Sequence, residues 1–311
     1  MKWRKVKGSK SKDVIDVRGA APSTGSRRSA SAGGLGGLPI PGGIAGIGGT
    51  AGVVVAVVIV AIQLFGGGGE SFDIGQVLGP AAQAPDASDP QPLPAGQDPQ
   101  RDLKNFSTYV FVDSQKTWDQ SFRNDGEAYG DAELVLYSGA VETDGCGGAT
   151  SAVGPFYCPA DSRVYLDLSF YEDMRTQLGA SGDFAWAYVI AHEMGHHVQN
   201  ETGTNDEVAN LESQNPDDAN ELSVRVELQA DCYAGVWAST VYAEGDLEAG
   251  DLDEAFTATE SVGDDRLQEQ AGGRVDPDSF THGTSEQRRT WFRTGFDSGE
   301  IQQCDSFSGD V

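Results

Sequence analysis

The sequence predicts an α+β fold in which helices dominate and a small sheet precedes the first buried helix, the whole standing behind a single transmembrane helix. Three observations lead there. Residues 44–65 form an uncharged apolar run. "AELVLYSG" (132–139) and "RVYLDLSF" (163–170) are short runs rich in β-branched, aromatic and leucine residues, bounded by Gly, Asp and Ser. "SGDFAWAYVIAHEMGHHVQN" (181–200) is apolar almost all round. Length separates the two kinds of element, since strands run about 4–8 residues and helices about 10 or more.

From the amino terminus, residues 1–43 read as a basic, disordered cytoplasmic tail. Residues 1–40 hold nine basic side chains against Asp13 and Asp16, whereas the rest of the chain holds 12 basic and 46 acidic. So acidic a body has no cationic stripe for a phosphate backbone, which excludes nucleic acid as a partner. No charge occurs between Arg28 and Glu70, and residues 44–65 number 22. At about 1.5 Å per residue a helix of that length crosses a hydrocarbon core of about 30 Å. A secretory signal would be shorter and end at an Ala-x-Ala-type site, but this run ends in "GGGGE". The basic flank stays in the cytoplasm and the acidic body goes outside. The expected location is therefore the cytoplasmic membrane, single-pass, with the N-terminus inside. Gly48 and Gly52 are spaced to let two spans approach as a weak homodimer.

Residues 66–104 carry six of the 13 prolines and read as an extended linker. The folded domain is expected over 105–308. All four cysteines lie beyond the span, where disulfides persist. Cys146 and Cys158 bracket a short glycine-containing loop, so the economical pairing is Cys146 with Cys158 and Cys232 with Cys304. No Cys-x-x-Cys pair offers a thiolate metal site.

Within the domain, Trp118 and Phe122 mark a short amphipathic helix behind an Asp113 or Ser114 cap. A helix through 171–179 stops at Gly179, and the 181–200 helix starts from Ser181 or Asp183. Residues 201–220 are polar and acidic, an inserted loop or loose helix. Asn215 as cap and Pro216 at the first position open a long helix over 215–245. After an acidic helical stretch, Thr284 and Gln287 form a capping box for the last helix.

The chemistry concentrates in "AHEMGHHVQN" (191–200), which holds three of the four histidines. Residues four apart on a helix lie on one face, so His192 and His196 can reach one metal ion. Glu193 is one step round, placed to act on a water at that ion as general base. His197 points off that face. A third ligand is needed, and "VRVELQADCYAG" (224–235) offers Glu227, with Asp231 four residues on to orient a ligating imidazole. Both carboxylates sit in apolar company. His282, just before a helix start, is a candidate donor to a developing oxyanion, with Arg288 or Arg289 as weaker aids. The strand at 163–170 is a candidate edge for pairing with an extended peptide.

Four separated segments, "GPFYCPADSRVYLDLSFYEDM", "AYVIAHEMGHHVQN", "ELSVRVELQADCYAGVWA" and "DSFTHGTSEQRRTWFRTGFDSG", resemble a bacterial family of neutral zinc metallopeptidases, the YpfJ-like group. The likeness covers about residues 105–308, and "MKW" followed by a span and linker resembles that family's layout. It implies a zincin-like domain of the gluzincin type, a membrane-anchored Zn2+ peptidase. His192, His196 and Glu227 would be its ligands and Glu193 its acid/base, acting on peptide or protein substrates. Two other readings use the same residues: an envelope scaffold that zinc only staples, and a zinc hydrolase of a non-peptide amide such as a cell-wall crosslink.

Overall fold

The computed structural model of the chain describes residues 1–3, 13–19, 85–87, 90–94, 96–309 and 311. The span expected over 44–65 lies outside the described residues, and among these no helix is long and apolar enough to cross a membrane. The fold is mixed α+β and mostly helical.

In chain order the strands are β1 (Val14–Asp16), β2 (Glu133–Tyr137), β3 (Ala140–Glu142), β4 (Gly148–Thr150), β5 (Phe156–Cys158) and β6 (Arg163–Asp167). The helices are α1 (Arg101–Asp125), α2 (Phe170–Asp173), α3 (Asp183–Glu201), α4 (Thr204–Gln214), α5 (Ala219–Ala243), α6 (Asp251–Ser261), α7 (Asp264–Gln270) and α8 (Ser285–Ser298). One sheet has the order β1-β2-β6-β5, in which β5 alone runs antiparallel to its neighbour; β3 and β4 form a separate hairpin sheet.

The four-stranded sheet is buried on both faces, which explains why β2 reads as an apolar run rather than an alternation. Leu134, Leu136, Val164 and Leu166 face the helices. Val135, Tyr137 and Tyr165 face the β3–β4 hairpin, where Phe156 stacks on Tyr165 at 4.7 Å between ring centroids. Below the sheet, α3 and α5 are the buried central pair. Sixteen of the 19 residues of α3 are buried, so its polar side chains must find partners inside the protein. The structure contains the disulfides Cys146–Cys158 and Cys232–Cys304.

Several expectations need correcting. Residues 13–19, assigned to a disordered tail, contain β1: Val14, Ile15 and Asp16 pair in parallel with Leu134, Val135 and Leu136. Arg18 is buried against Asp16 at 2.9 Å and Asp98 at 2.6 Å, and Lys104 reaches Asp16 at 2.6 Å. Trp3 packs edge-on against Phe106 at 5.6 Å. These contacts attach both the start of the chain and the end of the expected linker to the domain. The domain consequently begins before 105, with α1 starting at Arg101 and passing through Asp113 and Ser114 in mid-helix. The parallel pairing of β1 with β2 sets residues 14–16 beside the helical domain.

Other differences are local. The 201–220 insertion is mostly helix α4. Neither Ser181 nor Asp183 caps α3; Glu254, arriving from α6, accepts the Phe184 N–H at 2.9 Å. Strand β6 lies between β2 and β5, so the open edge on that side belongs to β5. The Gly179 stop is present in the left-handed conformation, and the Thr284–Gln287 capping box is complete.

Candidate metal centre

Helices α3 and α5 cross closely because α3 carries a glycine at the crossing. A Cβ on Gly195 would stand 2.9 Å from the Ala230 carbonyl oxygen. The glycine lets the His192–His196 turn approach the Glu227–Asp231 turn.

At the crossing, Glu227 brings its two oxygens to 3.2 Å from His192 Nε2 and 3.5 Å from His196 Nε2. The ligand atoms of His192, His196 and Glu227 all lie within 4.8 Å of one another. All three residues are buried, as is Glu193 at 0% exposure. His192 Nε2, His196 Nε2 and both oxygens of Glu193 and of Glu227 have no hydrogen-bond partner. Buried polar atoms are otherwise almost always satisfied. Six convergent exceptions, two imidazole nitrogens and four carboxylate oxygens, match the donors that a three-ligand metal site with an adjacent base would use.

The outer nitrogen of each imidazole is occupied, which turns the inner one toward the cluster. His192 Nδ1 donates to Asp231 Oδ1 at 2.9 Å, where the Tyr188 hydroxyl also donates at 2.5 Å. His196 Nδ1 donates to Gln199 Oε1 at 2.8 Å, and the Gln199 amide is itself fixed by the Val226 carbonyl at 2.7 Å. Arg288 from α8 holds Asp231 through Nε at 2.7 Å and Nη2 at 3.0 Å. His197 faces away: its Nε2 donates to the Gly130 carbonyl at 2.7 Å, and its Nδ1 accepts from the Tyr157 hydroxyl at 3.0 Å.

Charges follow these partners. Burial pushes the Glu193 carboxyl up to about 8. Burial disfavours the His192 imidazolium, but Asp231 and Glu227 overcome it and raise the group to about 9. His196 is lowered by burial to about 4. Burial acts against the Glu227 carboxylate, yet the His192 contact and the charges of His196 and His282 hold it far below the usual carboxylate range.

His282 lies beyond this group and is buried at 6% exposure. Asp264 clamps its segment, one oxygen accepting the backbone N–H groups of Thr281, His282 and Gly283 at 2.8, 2.7 and 3.1 Å. The other oxygen is 3.2 Å from His282 Nδ1. Arg288 points at Asp231 rather than outward, and Arg289 pairs with Glu260 at the surface. Neither is placed as an aid to His282.

Sequence reasoning brought forward His192, Glu193, His196, Glu227 and Asp231, and the structure gathers all five. It missed Tyr188, Gln199 and Asp264. Only Gln199 carried a local signal, standing three residues after His196.

A helix bearing two histidines and a glutamate, crossed by a second helix bearing a further glutamate, defines the class: an α+β protein with a His-His-Glu group suited to a metal ion. The chain belongs to the family described as "Putative neutral zinc metallopeptidase", whose model matches residues 1–307. It is 54% identical over 208 residues to the Escherichia coli (strain K12) "Uncharacterized protein YpfJ", covering 66% of this chain and 72% of that one. It is 47% identical over 186 residues to the Mycobacterium tuberculosis (strain ATCC 25618 / H37Rv) "Uncharacterized protein Rv2575", covering 56% of this chain and 62% of that one. No solved structure matches the chain.

Proposed function

We propose that the protein is a zinc-dependent metallopeptidase with a zincin-like core, hydrolysing peptide bonds outside the cytoplasm. The observation that carries this reading is the set of six buried, partnerless atoms on His192, Glu193, His196 and Glu227. His192, His196 and Glu227 would hold the ion. Zinc, when bound, supplies Lewis acidity toward a carbonyl oxygen and toward water.

The chain's own groups do the rest. Glu193, raised to about 8 by burial, is matched to taking a proton from the attacking water near neutral pH and passing it to the leaving amine. His282, oriented by Asp264, donates to the oxyanion that develops on the carbonyl. An extended peptide would pair with the edge that β5 gives the sheet among the described residues. Two disulfides support an oxidising compartment. Residues 44–65 are the proposed contact with the membrane.

The test uses the full chain, a peptide library and metal analysis. Wild type should bind one zinc and cleave peptides, with cleavage lost to a chelator. Glu193→Gln should keep the zinc and lose at least about a hundredfold in rate. Zinc bound by both proteins with no cleavage by either would leave a zinc-stapled scaffold or a hydrolase of another amide. Loss of zinc from Glu193→Gln would overturn the ligand assignment.

A further inference from the structure

Arg288 sits in the first turn of α8 and is fully buried, at 0% exposure. A buried guanidinium needs a counter-charge and partners for its N–H groups. Its Nε and Nη2 grip the two oxygens of Asp231 at 2.7 and 3.0 Å. Nη1 donates to the Val262 carbonyl at 3.3 Å and Nη2 to the Tyr188 hydroxyl at 3.2 Å. Nη2 also stands 3.5 Å from both Glu227 Oε2 and His192 Nδ1.

Two consequences follow from this placement. Asp231 is held at both oxygens by a planar fork, so its carboxylate cannot turn away from His192. Glu227 and Asp231 lie four residues apart on one helix, both buried, where two anions repel; Arg288 is the cation that bridges them. Asp231 orients His192, and Arg288 orients Asp231.

We infer that Arg288 is a positioning residue that sets the affinity of the His192–His196–Glu227 site for its metal, acting through Asp231. The inference rests on reading that group as a metal site.

Zinc affinity of the full-length chain, measured by competition with a chromogenic chelator, tests it without any substrate. Arg288→Lys keeps the charge and loses the fork, and should bind zinc roughly tenfold more weakly; Arg288→Met should lose roughly a hundredfold. Arg289→Ala, at a neighbouring position on the surface, should match wild type. A merely structural Arg288 would lower the melting temperature and leave the zinc affinity of the folded protein unchanged, and that result overturns the inference. If Arg288→Met does not fold, Arg288→Met with Asp231→Asn removes both buried charges together. That double variant should fold and bind zinc at least tenfold more weakly, and wild-type affinity there would equally overturn the inference. Failure of wild type itself to bind zinc refutes the metal site instead, which keeps the two readings distinguishable.

Discussion

At the scale of single residues, the two histidines are oriented by different chemistry. His192 leans on a carboxylate, Asp231, and His196 on a neutral amide, Gln199. Gln199→Leu removes the acceptor from His196 Nδ1 and should weaken zinc binding about tenfold. Equal affinity in Gln199→Leu would show that packing alone orients the ring. The proton on His192 predicts a pH dependence. In the metal-free chain this imidazole is raised to about 9, and a ligating imidazole must be deprotonated. Zinc affinity should therefore climb as pH rises toward about 9 and level off above it. The raised value also stabilises the metal-free fold fully below about 6.5, and that contribution fades as pH rises through the folded value. A pH series of chelator competitions that stays flat across this window would refute the assignment. The sequence showed which residues could ligate because helical spacing is local. It could not show Tyr188, Asp264 or the direction of Arg288, whose roles depend on how α3, α7 and α8 dock.

At the scale of elements, glycines let three helices converge on the site. Gly195 admits α5 to α3, and Gly235 and Gly295 admit α8 to α5. A Cβ on Gly295 would stand 1.9 Å from the Cys232 carbonyl oxygen, and one on Gly235 would stand 2.0 Å from that of Phe292. Backbone cannot yield as a side-chain tip does, so Gly295→Ala should cost at least about 3 kcal/mol. For a domain of this size that is roughly 6–12 °C in melting temperature, measurable by thermal denaturation; a shift under about 2 °C would mean the helices separate freely. The long buried helices and the capping box of α8 were readable because period, length and end signals all sit within the element. The start of α1 was not: Gln100 makes no side-chain cap, and tertiary contacts, from Arg18 to Asp98 and from Lys104 to Asp16, hold that end. Strands β1, β3, β4 and β5 have three residues each, too few for alternation to register, and they exist through distant partners.

At the scale of the whole molecule, β1 ties together segments that the charge pattern had placed on opposite sides of a membrane. The parallel pairing of β1 with β2 and the buried Asp16–Arg18–Asp98 cluster set residues 13–19 against the domain that carries His192 and Glu227, and the expected outcome is that both share one compartment. The two disulfides are of a kind that persists in oxidising surroundings. Reporter cysteines make the point measurable, because all four native cysteines are paired. Lys2 and Asn124 are both exposed. In intact cells Lys2→Cys and Asn124→Cys should react alike with a membrane-impermeant maleimide, since both sit on the folded domain. Labelling at 124 with protection at 2 would restore the single-pass arrangement and remove β1 from the sheet. In that event Arg18→Ala, which breaks the buried cluster, would leave the melting temperature unchanged. With β1 in place the same substitution removes the Arg18 partner of Asp98 and leaves Asp16 to its ion pair with Lys104, and should cost about 3 kcal/mol.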